Sequence, residues 1–246
     1  MKPVEYRRMY EAEESQWWYA GMRAIAFELV DAALAGRPGS ARRFLDAGCG
    51  SGRNLVELER RGTGVGVDLS EEALRLCRER GVAVVRAELG RLPFASASFD
   101  GVTSFDVIYH RWVEDDAAAV VEMARLLRPG GLLLIRVPAL AALRGAHDEA
   151  VLTRHRYTLR ELRGLLEAAG LEVLRASYCN TLLLPLLALR RGLDRLTGRR
   201  GSDVGLLPAP FERLFRALLG LEAAWLRRGH GLPLGASALA LGRRGR

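Results

Sequence analysis

Phe44-Leu-Asp-Ala-Gly-Cys-Gly-Ser-Gly-Arg-Asn54 is the stretch that decides the fold. A short apolar run ends at Asp46, and Gly48, Gly50 and Gly52 then occupy alternate positions before a helical pattern begins. Glycine at these places removes Cβ atoms that would block a ligand and permits positive φ in a tight turn. The helix that follows offers unpaired N–H groups at its start. The dinucleotide fingerprint G-x-G-x-x-G would need its third glycine at Arg53, so pyrophosphate binding, and with it a dehydrogenase, is disfavoured.

Outward from this turn, short β-rich runs alternate with helical patterns, the mark of βαβ units in a parallel sheet. Thr63–Val67 leads into Asp68, and Val82–Arg86, Gly101–Ser104 and Leu132–Val137 supply three more strands. Ser70 before Glu71 and Glu72, and Thr158 three residues before Glu161, are helix starts, with Gly81 and Gly170 as the matching stops. Trp17 to Leu34 reads as a helix before the sheet, Leu171 to Tyr178 as a sixth strand and Ala236 to Leu241 as a seventh. Between the last two lie a Leu-rich stretch, a polar link at Gly198 to Asp203 and a helix from about Phe211. The expected fold is α/β: a Rossmann-like, seven-stranded, mostly parallel sheet with helices on both faces. An N-terminal helix precedes it, and a helical insertion precedes the last strand. The chain divides as one domain into a helical lid (1–40), a ligand-binding core (41–178), a helical cap (179–235) and a last strand with its tail (236–246).

The net charge of +8 suggests nucleic acid until it is located. Residues 179–246 hold twelve Arg against Asp194, Asp203, Glu212 and Glu222, so the first 178 residues are neutral overall. Lys occurs only at position 2, and the basic residues do not interleave with aromatics, which disfavours a nucleic-acid partner. Cys49, Cys77 and Cys179 are too scattered for a disulfide or zinc framework, so no metal site and a reducing, cytoplasmic setting are expected. The N-terminus lacks an apolar stretch of signal-peptide length, and the run Leu182 to Leu189 is far short of the roughly 20 residues a bilayer helix needs.

Several separated blocks together resemble the class I S-adenosylmethionine-dependent methyltransferases. These are the glycine turn, Asp68 at the end of the second strand, Glu88-Leu-Gly-Arg-Leu-Pro-Phe94 with Ser98-Phe-Asp100, and Leu127-Arg-Pro-Gly-Gly-Leu-Leu-Leu-Ile135. The resemblance covers about residues 42–178. It implies that Asp46 and the backbone of Ala47, Gly48, Cys49, Gly50 and Gly52, with Asn54, hold the methionine end of S-adenosylmethionine. Asp68 with Leu69 would then hold the ribose, and Glu88 with Leu89 the adenine edge. Phe105 and Asp106 would line the sulfonium and the substrate entrance. A narrower resemblance, to a bacterial subgroup with an aromatic N-terminal helix and an extended C-terminus, rests on Glu14–Tyr19 with Arg23, Val137-Pro-Ala139, His147-Asp148, Arg156-Tyr157 and Tyr178-Cys-Asn180. That subgroup would carry a second His near position 153, where this chain has Thr153 and then His155.

A sulfonium methyl is already activated, so such a protein must align a nucleophile, exclude water and, for hydroxyl or amine acceptors, remove a proton. His147, His110 and His155 are the candidate bases, because imidazole titrates near neutral pH. Tyr109 and Tyr157 are candidate substrate walls. Trp17 is a candidate lid over the substrate, Trp18 over the cofactor, and Arg23 a partner for the methionine carboxylate.

Three readings stand open for the cap: an apolar substrate pocket, a homodimer interface, or a surface that leans on anionic lipid through residues 182–228. The expected activity is O- or N-methylation of a small-molecule or lipid-linked acceptor, with S-adenosylhomocysteine as product, in the cytoplasm or at the inner membrane face. The contrasting reading is a membrane-associated partner of a biosynthetic enzyme that keeps the cofactor without turnover.

Overall fold

A computed structural model describes residues 3–36, 41–145, 148–149, 151–197 and 207–245. In chain order these form α1 (Pro3–Ala12), α2 (Trp17–Leu34), β1 (Arg43–Ala47), α3 (Arg53–Glu59), β2 (Thr63–Asp68), α4 (Glu71–Glu79), β3 (Val84–Arg86) and β4 (Phe99–Phe105). They continue through α5 (Asp116–Leu126), β5 (Leu127–Pro138), α6 (Leu159–Ala168), β6 (Leu171–Cys179), α7 (Leu184–Thr197), α8 (Ala209–Arg227) and β7 (Ser237–Arg244).

The seven strands form one sheet in the order β3-β2-β1-β4-β5-β7-β6. β7 runs antiparallel between β5 and β6, and the other pairings are parallel. This is the expected architecture. The order turns about β1 and β4, so the carboxyl ends of those two strands open a crevice at the topological switch point, where ligands bind in open α/β sheets.

Alternate strand side chains feed two cores, as a sheet covered on both faces requires. Leu45, Leu133 and Ile135 join Met123, Leu126 and Leu162 from α5 and α6 on one face. Phe44, Leu132 and Leu134 join Met22, Ile25 and Phe27 from α2 and Leu219 and Leu226 from α8 on the other. At the crossing of α2 and α8, a Cβ on Gly21 would lie 2.3 Å from Leu219 Cδ1, so glycine there sets how closely the cap helix sits.

The local signals in the sequence match the structure closely. Ser70 caps α4, Thr158 and Glu161 close a capping box on α6, and Gly81 and Gly170 follow those helices at φ +74° and +76°. β5 begins five residues before its expected start, directly at the end of α5. The polar link at Gly198 to Asp203 lies outside the described residues.

α1 was not expected, because Pro3–Ala12 carries no continuous apolar stripe. Its inner face is instead Tyr6, Met9 and Tyr10, packed on Ala73 and Leu76 of α4. Ion pairs fasten this region to the core. Arg7 meets Glu79, Arg80 is shared by Glu13 and Glu14, and Glu14 also meets Arg53 at 2.8 Å.

Candidate functional site

The crevice is a cavity of about 960 Å³ that runs from the glycine turn to the cap helices. Its floor is the turn after β1. Gly48, Gly50 and Gly52 take φ of +82°, +55° and +81°, values in which a side chain is strained. Gly48 and Cys49 each donate an N–H to the Val67 carbonyl, at 2.8 and 2.9 Å, which ties the turn to β2. A Cβ on Gly50 would point into the space below Met9, 3.1 Å from its Cε, so the bare backbone is part of the cavity wall.

Asp68, at the end of β2, accepts the Gly50 N–H at 3.0 Å and the Ser70 N–H at 2.9 Å, and the Tyr6 hydroxyl lies 3.5 Å away. Burial raises its pKa and these backbone donors oppose the rise. A carboxylate has about four lone-pair sites, so after the two backbone bonds Asp68 retains acceptor capacity for a vicinal diol presented from the cavity. Burial also pushes the Tyr6 phenol up, so it stays a donor.

Asp46 is 1 % exposed and stands behind the cavity lining. Its Oδ1 accepts the Thr103 hydroxyl at 2.7 Å, while Oδ2 is buried with no hydrogen-bond partner. Burial pushes its pKa up to about 7. An orphaned buried carboxylate oxygen beside the glycine turn fits a ligand that carries positive charge, as an amino-acid sulfonium does.

The sign of the effect is testable. Because the folded-state pKa is raised, the stability contributed by protonated Asp46 is complete below about pH 4 and is lost as pH rises through 7. In the ligand-free protein, Asp46→Asn is expected to flatten the decline in thermal stability between about pH 4 and pH 7, by an amount on the order of a few kcal/mol. Melting curves across that range check it, and parallel curves for the two proteins would contradict it.

Phe105, the last residue of β4, and Asp106 directly after it lie on the cavity wall. Asp106 takes φ +58° and accepts from Arg136 Nε at 2.9 Å, while the Arg136 guanidinium lies over the rings of Trp18 and Phe105 at 5.4 and 5.1 Å. Arg136 is thus held by a carboxylate and two aromatic faces. Arg156 is held likewise by Asp148, at 2.8 Å, and by the Ala139 carbonyl, at 2.7 Å.

Of the residues singled out from the sequence, Gly48, Cys49, Gly50, Asn54, Asp68, Leu69, Glu88, Leu89, Phe105, Asp106, Arg23, Trp17, Trp18, Tyr109 and His110 line this one cavity. Ala47 and Gly52 lie behind it with Asp46. Arg23 donates to the Glu13 carbonyl at 3.0 Å, and burial lowers its pKa. The Cys49 thiol pKa is pushed up by the Cys77 thiol 3.8 Å away and by burial.

Two candidates stand apart. Tyr157 is turned into the core, 2 % exposed, with its hydroxyl donated to Asp116 and 3.5 Å from the Ile108 carbonyl. His155 is half-exposed and faces Glu161 at 3.3 Å, drawn to the acid that caps α6. Neither lines the cavity. His147 lies outside the described residues. Among those described, His110 is the histidine on the lining, between the rings of Tyr109 and Trp112 at 4.3 and 4.6 Å.

Sequence reasoning missed the lining from Tyr6 and Met9 of α1 and from Glu13 directly after it. The three-to-four-residue spacing of these side chains was the available signal. It also missed Arg136, and it offered the cap as a pocket wall in one of three readings without singling out Leu183, Leu187 and Arg191, which line the cavity.

Known proteins similar to this chain are methyltransferases. Residues 45–135 match the family described as "Methyltransferase domain". A malonyl-[acyl-carrier protein] O-methyltransferase of Erwinia pyrifoliae is 32 % identical over 80 % of this chain and 77 % of its own length. A protein of Mycolicibacterium smegmatis named a probable S-adenosylmethionine-dependent methyltransferase is 35 % identical over 66 % of this chain and 62 % of its own length. A mycobacterial relative of the same description is matched over 49 % of its length, so the chain spans about half to two thirds of these relatives. In fold, the solved structure of a Thermotoga maritima S-adenosylmethionine-dependent methyltransferase superposes with a TM-score of 0.61 at 21 % identity, over 98 % of this chain and 95 % of that one. The chain belongs to the class I S-adenosylmethionine-dependent methyltransferases.

Proposed function

We propose that the protein methylates the oxygen or nitrogen of a small, largely apolar acceptor, and that the acceptor lies between the glycine turn and the cap. The observation that carries this reading is the continuity of the cavity. At one end are Gly48, Gly50 and Asp68, and at the other Leu183, Leu186, Leu187, Phe211 and Phe215, with no wall between them. Pockets of this size, mostly apolar with a few fixed polar groups, take small molecules. Two relatives are named as O-methyltransferases, of ubiquinone biosynthesis and of malonyl-[acyl-carrier protein], which favours oxygen.

S-Adenosylmethionine, when bound, supplies a methyl group already activated on sulfur. In this reading the turn from Asp46 to Gly52 with Asn54 holds the amino-acid end and Arg23 its carboxylate. Asp68 and Leu69 hold the ribose, and Glu88 and Leu89 the adenine. Trp17 and Trp18 keep water out, with α1 and α2 acting as a lid and residues 179–235 as a cap on a single domain. Tyr109, its phenol pKa pushed well up by burial, stays protonated and donates to the acceptor. His110 receives the acceptor's proton on its imidazole as the methyl group moves. The three buried free thiols suit a reducing cytoplasm.

Incubation of the purified chain with methyl-labelled S-adenosylmethionine and small-molecule extract of its host is expected to label an acceptor extractable into organic solvent. His110→Ala should lower kcat for that acceptor by about 10²-fold, as loss of a general base does, with cofactor affinity unchanged. Tight cofactor binding with no labelled acceptor in any fraction would leave a binding protein without turnover.

A further inference from the structure

The two cap helices leave apolar faces exposed. Along α7, Leu186, Leu189, Leu193 and Leu196 recur at spacings of three and four residues and are 49, 62, 52 and 85 % exposed. On α8, Leu219, Ala223 and Leu226 face the sheet and α2, yet Leu214, Leu221 and Trp225 on the outer side are 51, 63 and 46 % exposed. A helix that covers one core normally turns polar residues to water, and α8 is apolar on both sides.

Charge says what covers these faces. Residues 182–228 hold nine Arg and no Lys against Asp194, Asp203, Glu212 and Glu222. Two of the four acids are spent inside the fold. Glu212 accepts the N–H groups of Trp17 and Leu207, at 2.6 and 3.0 Å, and Glu222 those of Thr181 and Leu182, both at 2.8 Å. Arg190, Arg213 and Arg228 stay exposed beside the leucines. A second copy presenting the same cationic face would be repelled, whereas an anionic surface would be drawn in.

The cavity opens on this side. Leu186, Leu207 and Phe211 line it and are 49, 38 and 52 % exposed. Other exposed lining residues, Glu88, Glu114 and Asp115, are acidic and would be repelled by the same lipid.

We propose that the outer faces of α7 and α8 dock on an anionic lipid surface, and that an amphiphilic acceptor enters the cavity from that surface between Leu186, Leu207 and Phe211. The proposal rests on the small-molecule reading above and names where such an acceptor comes from. Helices that lie in a membrane interface combine an apolar face with flanking arginines, as these do. The contact is peripheral, since no described helix is long and apolar enough to cross a membrane.

Flotation of the full chain with phosphatidylcholine vesicles, with and without phosphatidylglycerol, tests it. The chain is expected to float with the anionic vesicles, more at low salt than at moderate salt, and to stay behind with the neutral ones. Arg213→Ser with Arg228→Ser should lower partition about 25-fold, at about fivefold per arginine near anionic lipid. Leu189→Ser with Leu193→Ser should lower it too. All four positions are exposed, so S-adenosylmethionine affinity by calorimetry should stay at the parent value, which separates a failure of docking from a failure of the methyltransferase reading. Equal flotation with both vesicle types, or with neither, overturns the proposal. Light scattering that shows a dimer dissociated by the Leu189 and Leu193 changes, without flotation, also overturns it and assigns the faces to a second copy.

Discussion

Asp68→Ala is expected to weaken S-adenosylmethionine binding by about 100-fold or more while the sheet stays folded. Hydrogen bonds to a charged group contribute about 1.5–3 kcal/mol each, and a ribose diol would lose two of them. The same carboxylate also accepts the N–H groups of Gly50 and Ser70, so the change loosens the glycine turn as well. Asp68→Asn separates the two effects. It keeps the shape but presents an NH₂ where one acceptor stood, so its affinity should fall between parent and alanine. Calorimetric titration reads the affinity and a melting curve reads the fold. Equal affinity in all three proteins would move the ribose elsewhere in the cavity.

Gly48→Ala should cost more in stability than in any single contact. At φ +82° an alanine is strained, which costs on the order of 1–2 kcal/mol, and its Cβ would stand 2.4 Å from a Val107 methyl group, an overlap worth about 1–3 kcal/mol more. Each kcal/mol lowers Tm by about 2–4 °C in a chain of this size, so a fall of roughly 5–15 °C is expected. Val107→Ala in the same chain removes the two methyl clashes, at 2.4 and 2.5 Å, and leaves the Val107 Cβ at 2.9 Å together with the strained φ. It should restore part of the loss, and full restoration or none would show that only one of the two causes operates.

How much was legible in advance follows from the range of each interaction. The strand before Asp46, the alternate glycines and the helix after them form one local unit, and a positive φ at Gly48 is a demand on one residue alone. The Ser70 cap of α4, the capping box of α6 and the stop glycines of both are likewise local, and they lie where the pattern puts them. Tyr157 was misplaced for the opposite reason. An aromatic ring with a hydroxyl suits a wet wall and a core equally, and Asp116, forty-one positions away, drew the hydroxyl inward. His155 went to Glu161, and α1 was overlooked because its few apolar residues find their partners on α4.

By itself the amino-acid order determined that the chain forms a doubly covered, mostly parallel sheet with a bare backbone turn and a carboxylate at the ends of its first two strands. Periodicity, capping and glycine conformation act over a few residues and need no knowledge of the rest. Only the tertiary structure decided that Asp46 keeps one oxygen unsatisfied behind the wall, that Glu212 and Glu222 turn inward, and that leucines of α7 and α8 face out around the mouth. Those outcomes depend on groups brought together across as many as 195 positions of chain, and burial, not sequence spacing, sets which side of each helix is left for a partner.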